Sequence, residues 1–152
     1  GELLETVLEE LQPASLEKRL TVHLHADHDR ALRRAAPAGP GLMRIALRNV
    51  LENAVRHSPA GGEIGVRVES GQNGEDIAVT VEDQGPGLAP DQRARALDRG
   101  WRGGGEGQGL GLAIVASVMA RTGGTIALDA ADSGGLRVTL RWLSSPRPAG
   151  SA

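Results

Sequence analysis

Residues 63–83, EIGVRVESGQNGEDIAVTVED, decide what kind of sheet this chain builds. Apolar and polar residues alternate through EIGVRVES and again through DIAVTVED, the two-residue period of a strand with one buried face. The intervening GQNG is rich in turn formers, so the two strands are expected to fold back as a hairpin. Ile77, Val79 and Val81 share one face of the second strand, and Asp83 has the same parity, so its carboxylate leaves the strand on the apolar side. Two readings of Asp83 stand at this point. It is either a turn-forming residue ahead of Gly85-Pro86-Gly87, or a buried carboxylate awaiting a donor from a ligand, with Gly85 and Gly87 letting that ligand approach the backbone.

Working outward, apolar residues at 3, 4, 7, 8 and 11 predict a helix over Glu2 to Leu11, which Pro13 is expected to end. Thr21 to His25 alternates as a short strand. Asp27 to Pro40 is polar and contains Pro and Gly, a loop with a second short strand around Ala31 to Arg34. Gly41 to His57 is the longest helical segment. Beyond the hairpin the pattern dissolves from Gly85 to Gly109, apart from a short helix at Pro90 to Leu97, and a connection this long inside a compact domain is usually functional. Leu110 to Arg121 reads as a helix stopped by Gly123-Gly124, and TIALDA (125–130) and GLRVTLRW (135–142) as two closing strands. Helices and strands come in clusters and not in strict βαβ alternation. That favours an α+β fold, a two-layer sandwich with a mixed, mostly antiparallel sheet of about five strands and about three helices on one face. Residues 1–143 are expected to form one domain, and SSPRPAGSA (144–152) a disordered tail.

The 152 residues carry a net charge of −2, so no broad basic surface is available for nucleic acid or an anionic membrane, and any phosphate contact must be local. There is no cysteine, which excludes disulfides and thiolate metal sites. No apolar run reaches the roughly 18 residues that span a bilayer, and the acidic start GELLETVLEE does not read as a signal peptide. The chain is expected to be soluble, cytoplasmic and monomeric. Phe and Tyr are absent, leaving Trp101 and Trp142 as the large rings beside a core of Leu, Val, Ile and Ala. Sixteen of the seventeen basic residues are arginine and only Lys18 is lysine, a bias read as GC-rich codon usage and not as function.

On the helix GLMRIALRNVLENAVRHS (41–58), a rotation of about 100° per residue brings Asn49, Asn53 and Arg56 into a sector of roughly 60°, opposite Met43, Leu47, Val50, Leu51 and Ala54. An ordinary solvent face would give the same placement. Two mid-helix asparagines count against that, because Asn competes with the helix backbone. An amide oxygen suits a hard cation such as Mg²⁺, and a nearby guanidinium can meet a phosphate oxygen. The stretch GEGQGLGLAIV (105–115) then runs glycines directly into an apolar helix. Unpaired N–H groups at a helix start, with no side chain in the way, make an anion site, so the Gly109-Leu110-Gly111 entry would hold phosphates. Alone, such a triplet could equally be a hinge.

Taken together and in this order, these segments resemble the catalytic, ATP-binding domain of sensor histidine kinases, within the ATPase superfamily that also holds gyrase, Hsp90 and MutL. RNVLENAVRHSP (48–59) is similar to its N box, VEDQGPGL (81–88) to its G1 box, RALDRGWRG (95–103) to a degenerate F box and GQGLGLAIV (107–115) to its G2 box. The resemblance implies ATP and Mg²⁺ as ligands. Carried over by position, it makes Asn53 the Mg²⁺ ligand, and Asn49 and Arg56 contacts of the ion's hydration shell or of the phosphates. It makes Asp83 the acceptor of the adenine amino group, with Gly85 and Gly87 shaping the adenine pocket. Gly107, Gly109 and Gly111, with Leu110 and Leu112, would line the phosphate cradle under a lid spanning about 88–108, and Arg102 would reach the γ-phosphate. The F box has Leu97 and Gly100 where phenylalanines are usual, leaving Trp101 to anchor the lid. His57 stands where many relatives place an aromatic over the adenine.

Hydrolases of the superfamily, and the anti-sigma serine kinases, carry a glutamate one turn before the metal-binding asparagine, able to act as a general base. Here that position is Asn49, which cannot accept a proton near neutral pH, and Glu52 lies about 60° away around the helix. The resemblance therefore implies a histidine kinase, with hydrolysis, serine phosphorylation or a purely regulatory nucleotide module as alternatives. None of the four histidines, His23, His25, His28 and His57, sits in a helix with the pattern of a phosphoacceptor. The acceptor is expected on a separate dimerisation domain of a longer, membrane-anchored sensor, with a response regulator downstream.

Overall fold

The computed structural model describes residues 2–26, 40–70, 76–97 and 111–143. The elements are α1 (Glu2–Glu17), β1 (Thr21–Ala26), α2 (Pro40–His57), β2 (Glu63–Ser70), β3 (Asp76–Glu82), α3 (Pro90–Ala96), α4 (Gly111–Arg121), β4 (Thr125–Ala130) and β5 (Leu136–Leu143). The strands form one sheet in the order β1-β2-β3-β5-β4. β2 and β3 pair antiparallel as the hairpin predicts, with Val66 opposite Val81 and Val68 opposite Val79. β3–β5 and β4–β5 are also antiparallel, whereas β1 runs parallel to β2. Among the described residues the fold is thus a five-stranded mixed sheet with four helices, three long and one short.

Register turns the alternation of each strand into one continuous apolar surface. Val66 and Val68 face Val81 and Val79, and Ile77, Val79 and Val81 face Trp142, Leu140 and Val138; Ile64 shares the parity of Val66 and Val68, and all are buried. Leu4, Val7 and Leu11 of α1, Met43, Leu47, Val50, Leu51 and Ala54 of α2, and Val115, Val118 and Met119 of α4 cover that surface. The sector of α2 assigned to the core is the one that is buried. Both methionines join this core, since a flexible thioether fills the gaps that Phe would otherwise occupy. The opposite face of the sheet carries ion pairs such as Arg137–Glu82 and Arg141–Asp76.

α2 lies between α1 and α4. Glu10 of α1 binds both Arg44 and Arg48 of α2, the latter at 3.1 Å. The fully buried Trp142 donates its indole N–H to Thr122 Oγ1 at 2.9 Å. A Cβ on Gly124 would come within 2.8 Å of that indole, so only glycine fits beside it. α4 ends as the Gly-Gly pair predicts, Gly123 at φ +74° and the Gly124 N–H bonding back to Met119 O at 2.8 Å.

One expectation is overturned. Pro13 does not end α1, which continues to Glu17. Proline's φ is already helical and its cost here is the missing N–H. The turn beyond it is closed by Leu20 N–H to Ser15 O at 2.9 Å, with Arg19 in the left-handed region at φ +58°. The helix thus stops where Arg19 reverses the chain. The strand expected near Ala31 to Arg34, His28 and the tail 144–152 lie outside the described residues.

Candidate functional site

One end of the sheet and three surrounding segments converge on a single cleft. β3 delivers Asp83 there, 3% exposed, and the antiparallel neighbour β5 begins beside it at Leu136. Asp83 Oδ1 accepts two backbone hydrogen bonds, from Gly85 N at 2.9 Å and from Leu136 N at 3.2 Å. Its second oxygen, Oδ2, accepts none from the described residues. A buried carboxylate oxygen left without a donor costs about 1–3 kcal/mol or more, so it marks a place where a ligand N–H is worth most. Of the two readings of Asp83, the turn-forming hydrogen bond to Gly85 is real, and the buried acceptor is real as well.

The glycines around Asp83 are required by space. A Cβ on Gly85 would fall 2.5 Å from His57 O and 3.1 Å from Asp83 Oδ1. Gly87 has φ +69°, and a Cβ there would lie 2.8 Å from Gly134 O. Three further residues that the sequence did not single out complete this end. Gly135 presses so closely on Asp83 that an added Cβ would stand 2.0 Å from its carbonyl oxygen. Gly134 takes φ +91°, and Ser133 Oγ donates to Asp83 O at 3.1 Å. The signal was present in the sequence as the Ser133-Gly134-Gly135 turn, but nothing local says which loop it will meet.

The polar sector of α2 forms the facing wall. Asn53, 6% exposed, has its amide oxygen 3.1 Å from His57 Nε2. That oxygen has two lone pairs, so one can take the imidazole N–H while the other meets a cation. Burial is the main cause that holds the His57 imidazole below its ordinary pKa of 6.5; Asp83 opposes this, and Arg56 and Lys18 add to it. Asn49 turns its amide N–H₂ back to Ile45 O at 2.8 Å. Its oxygen lies 4.0 Å from where a Cβ of Gly111 would stand, so the start of α4 faces Asn49 directly. Arg56 reaches Glu52 at 3.6 Å, and both side chains are more than two-fifths exposed. Of the expected site residues, Asn53, His57, Asp83, Gly87 and Leu112 line the cleft, with Pro86, Leu88 and Leu136 adding to its apolar lining. Gly85 joins them through its bond to Asp83, Asn49 faces Gly111 beside it, and Arg56 is one turn along α2 from Asn53, against Glu52.

Arg102, Gly107, Gly109 and Leu110, residues 98–108 of the expected lid, and Trp101 lie outside the described residues. Pro90–Ala96 is helical as expected. A larger groove of about 420 Å³ between α1 and β1 is lined by Leu8, Leu16, Val22 and Ile64 with Glu5 and Glu9. It brings together no row of amides facing a buried carboxylate, so size does not identify the site.

Comparison with known proteins agrees with this geometry. Residues 38–146 match the family described as histidine kinase-, DNA gyrase B- and HSP90-like ATPase. The chain is 30% identical over 144 residues to the sensor protein QseC of Salmonella typhi, covering 93% of this chain and 30% of that protein. It is 39% identical over 99 residues to the histidine-protein kinase/phosphatase MprB of Mycolicibacterium smegmatis, covering 62% of this chain and 20% of that one. The chain thus spans less than a third of the length of these relatives. Among solved structures, a mycobacterial sensor histidine kinase MprB superposes with a TM-score of 0.75 at 26% identity, over 96% of this chain and 95% of that one. The catalytic domain of the histidine kinase ThkA shares the fold, at a TM-score of 0.83 and 20% identity over 95% and 94% of the two chains. The chain belongs to the histidine kinase-, DNA gyrase B- and HSP90-like ATPase family, as an ATP-binding catalytic domain of the sensor histidine kinase type.

Proposed function

We propose that this domain binds ATP with Mg²⁺ and donates the γ-phosphoryl group to a histidine carried by a separate dimerisation domain of a longer sensor kinase. What supports it above all is the buried Oδ2 of Asp83, an acceptor held in place by two backbone N–H groups and left for a ligand donor. The donor set fits the nucleotide. An exocyclic amino group of adenine meets Oδ2, and Gly85 and Gly87 keep side chains out of the plane of the base. Asn53 offers an amide oxygen to Mg²⁺, whose preference for few protein ligands and for phosphate oxygens matches a single amide. Asn49 and Arg56 line the route toward the start of α4, where the unpaired N–H groups of Gly111 and its neighbours favour phosphate. The bound Mg²⁺ would neutralise charge on the transferring phosphoryl group.

The chain's own residues then bind and orient. Asp83 selects the base and excludes water by its burial. Asn49 holds its position by bonding to its own helix, and it supplies no base to activate water. Bound ATP should accordingly wait for an acceptor, since positioning accelerates transfer only when both reactants are held. QseC is a sensor protein and MprB a histidine-protein kinase/phosphatase, and by likeness to them we propose that this domain lies on the cytoplasmic side of such a sensor, with a response regulator as the eventual recipient. No helix among the described residues is long and apolar enough to cross a membrane.

The test is incubation of the chain with γ-labelled ATP, alone and then with the helical hairpin from its own parent protein. Acid-labile, base-stable label on the hairpin alone is the expected result. Rapid phosphate release without an acceptor would support a hydrolase instead, and label on serine of an added protein would support a serine kinase.

A further inference from the structure

The one lysine of this arginine-rich chain stands where a guanidinium could not make the same bonds. Lys18 follows α1, and its Nζ donates to three carbonyl oxygens at the end of α2, Val55 at 2.9 Å, Arg56 at 2.7 Å and Ser58 at 2.9 Å. Carbonyls at a helix C-terminus have no partner within the helix and lie at its negative end. Val55 O is orphaned twice over, because the residue four positions on is Pro59, which has no N–H. An ammonium presents three donors in a tripod, whereas the donors of a guanidinium lie in one plane. Three carbonyls winding around a helix end suit the tripod. The backbone of Lys18 adds a fourth tie, its carbonyl accepting from Gly61 N at 2.8 Å.

The turn gripped in this way is the one that closes the cleft. It carries Arg56 and His57, and His57 binds Asn53. The His57 carbonyl forms the wall against Gly85, at 2.5 Å from where a Cβ would stand, and Gly85 in turn donates to Asp83. The contact is made by the His57 backbone itself, so a shift of the helix end moves the wall that Gly85 meets.

We infer that Lys18 is a positioning residue for nucleotide binding: its ammonium fixes the last turn of α2 against the Asp83–Gly85 loop, and so sets the spacing between the Asn53–Arg56–His57 row and the base-facing carboxylate without touching the nucleotide. The inference rests on the reading of this cleft as the nucleotide site.

The experiment measures the affinity of the 152-residue chain for a fluorescent ATP analogue with Mg²⁺, well below the melting temperature of every variant used. Lys18→Met, Lys18→Arg and the remote core variant Leu4→Ala are compared with the wild type. Lys18→Met and Lys18→Arg should each weaken binding by about 10- to 100-fold, the scale of a misplaced site, and shift the side-chain amide NMR signals of Asn53. Leu4→Ala should lower thermal stability at least as much yet keep its affinity within about twofold, because a folded site away from the change is unaltered. Loss of stability with unchanged affinity in Lys18→Met would make the lysine a structural cap only and overturn the inference. Full affinity in Lys18→Arg would overturn the tripod geometry on which it stands. If Lys18→Met does not fold, Lys18→Gln takes its place with the same two outcomes. A wild type that fails to bind the analogue overturns the nucleotide reading itself, and is seen before any variant is compared.

Discussion

The two ends of the cleft are built in different ways. Around Asp83 the carboxylate is 3% exposed, two backbone N–H groups fix one oxygen, and added Cβ atoms on Gly85 and Gly135 would sit 2.5 Å and 2.0 Å from backbone oxygens. Around Asn49 and Arg56 the groups are partly or fully exposed, Arg56 meets Glu52 only at 3.6 Å, and Gly111 has 4.0 Å of space toward Asn49. A rigid, desolvated acceptor discriminates between ligands, because the wrong partner leaves it unpaired. Exposed charges on long side chains attract but discriminate little, and they can follow a moving phosphate. The base end should therefore set specificity and the phosphate end should tolerate change.

The sharpest way to break that contrast is at Gly135. Gly135→Ala drives a Cβ into Asp83, and overpacking of this severity should cost about 3 kcal/mol, read as a fall of roughly 6–12 °C in melting temperature for a domain of this size. Gly111→Ala, whose Cβ would meet nothing nearer than Asn49 Oδ1 at 4.0 Å among the described residues, should cost far less. Equal losses would mean that the base end is not the rigid one.

Next in size is base selectivity. Adenine presents an amino group where guanine presents a carbonyl, so the Asp83 oxygen is left unpaired with GTP at about 1–3 kcal/mol. ATP should bind at least about tenfold more tightly than GTP by competition against a fluorescent analogue. Comparable affinities for both in the wild type would remove Asp83 from the role of base acceptor.

Between the two ends, at the buried Asn53, Asn53→Ala should abolish most of the Mg²⁺ enhancement of nucleotide affinity, a change of about tenfold or more, while leaving ATP over GTP preference intact. Titration with and without Mg²⁺ separates these two effects. Arg56→Gln should weaken ATP by only a few fold, with stability changed by less than about 1 kcal/mol, and the loss should fade at high salt because an exposed charge is screened.

The smallest effect is a pH dependence from His57. Its pKa in the folded chain is lowered from 6.5, chiefly by burial. The unfolded chain therefore takes up this proton first, so the histidine costs stability as pH falls below about 6.5 and has no influence well above it. The melting temperature of the wild type relative to His57→Gln should drop on acidification through that window and stay level at alkaline pH. A difference that does not vary with pH would place the imidazole in solvent.

The sequence by itself determined what depends on neighbours along the chain. Two-residue alternation gave β2 and β3 and put Asp83 on the apolar side, because side-chain parity in a strand is fixed by geometry. The helical period separated the amide row of α2 from its buried face for the same reason, and the four glycine and asparagine segments in order identified the family. Local rules failed where a longer-range contact outweighed them. Pro13 should have stopped α1, yet the packed face of the helix and the Arg19 reversal set its end at Glu17. Only the tertiary structure decided that β1 would lie parallel to β2, and that β5 would enter between β3 and β4. That strand order is what brings Ser133, Gly134 and Gly135 onto Asp83, fifty residues away in sequence. The same holds for Lys18, which reaches carbonyls 37 to 40 residues distant and reads in the sequence as one cation among seventeen. A backbone acceptor carries no residue type, so a side chain that answers one leaves no pattern until the chain has folded.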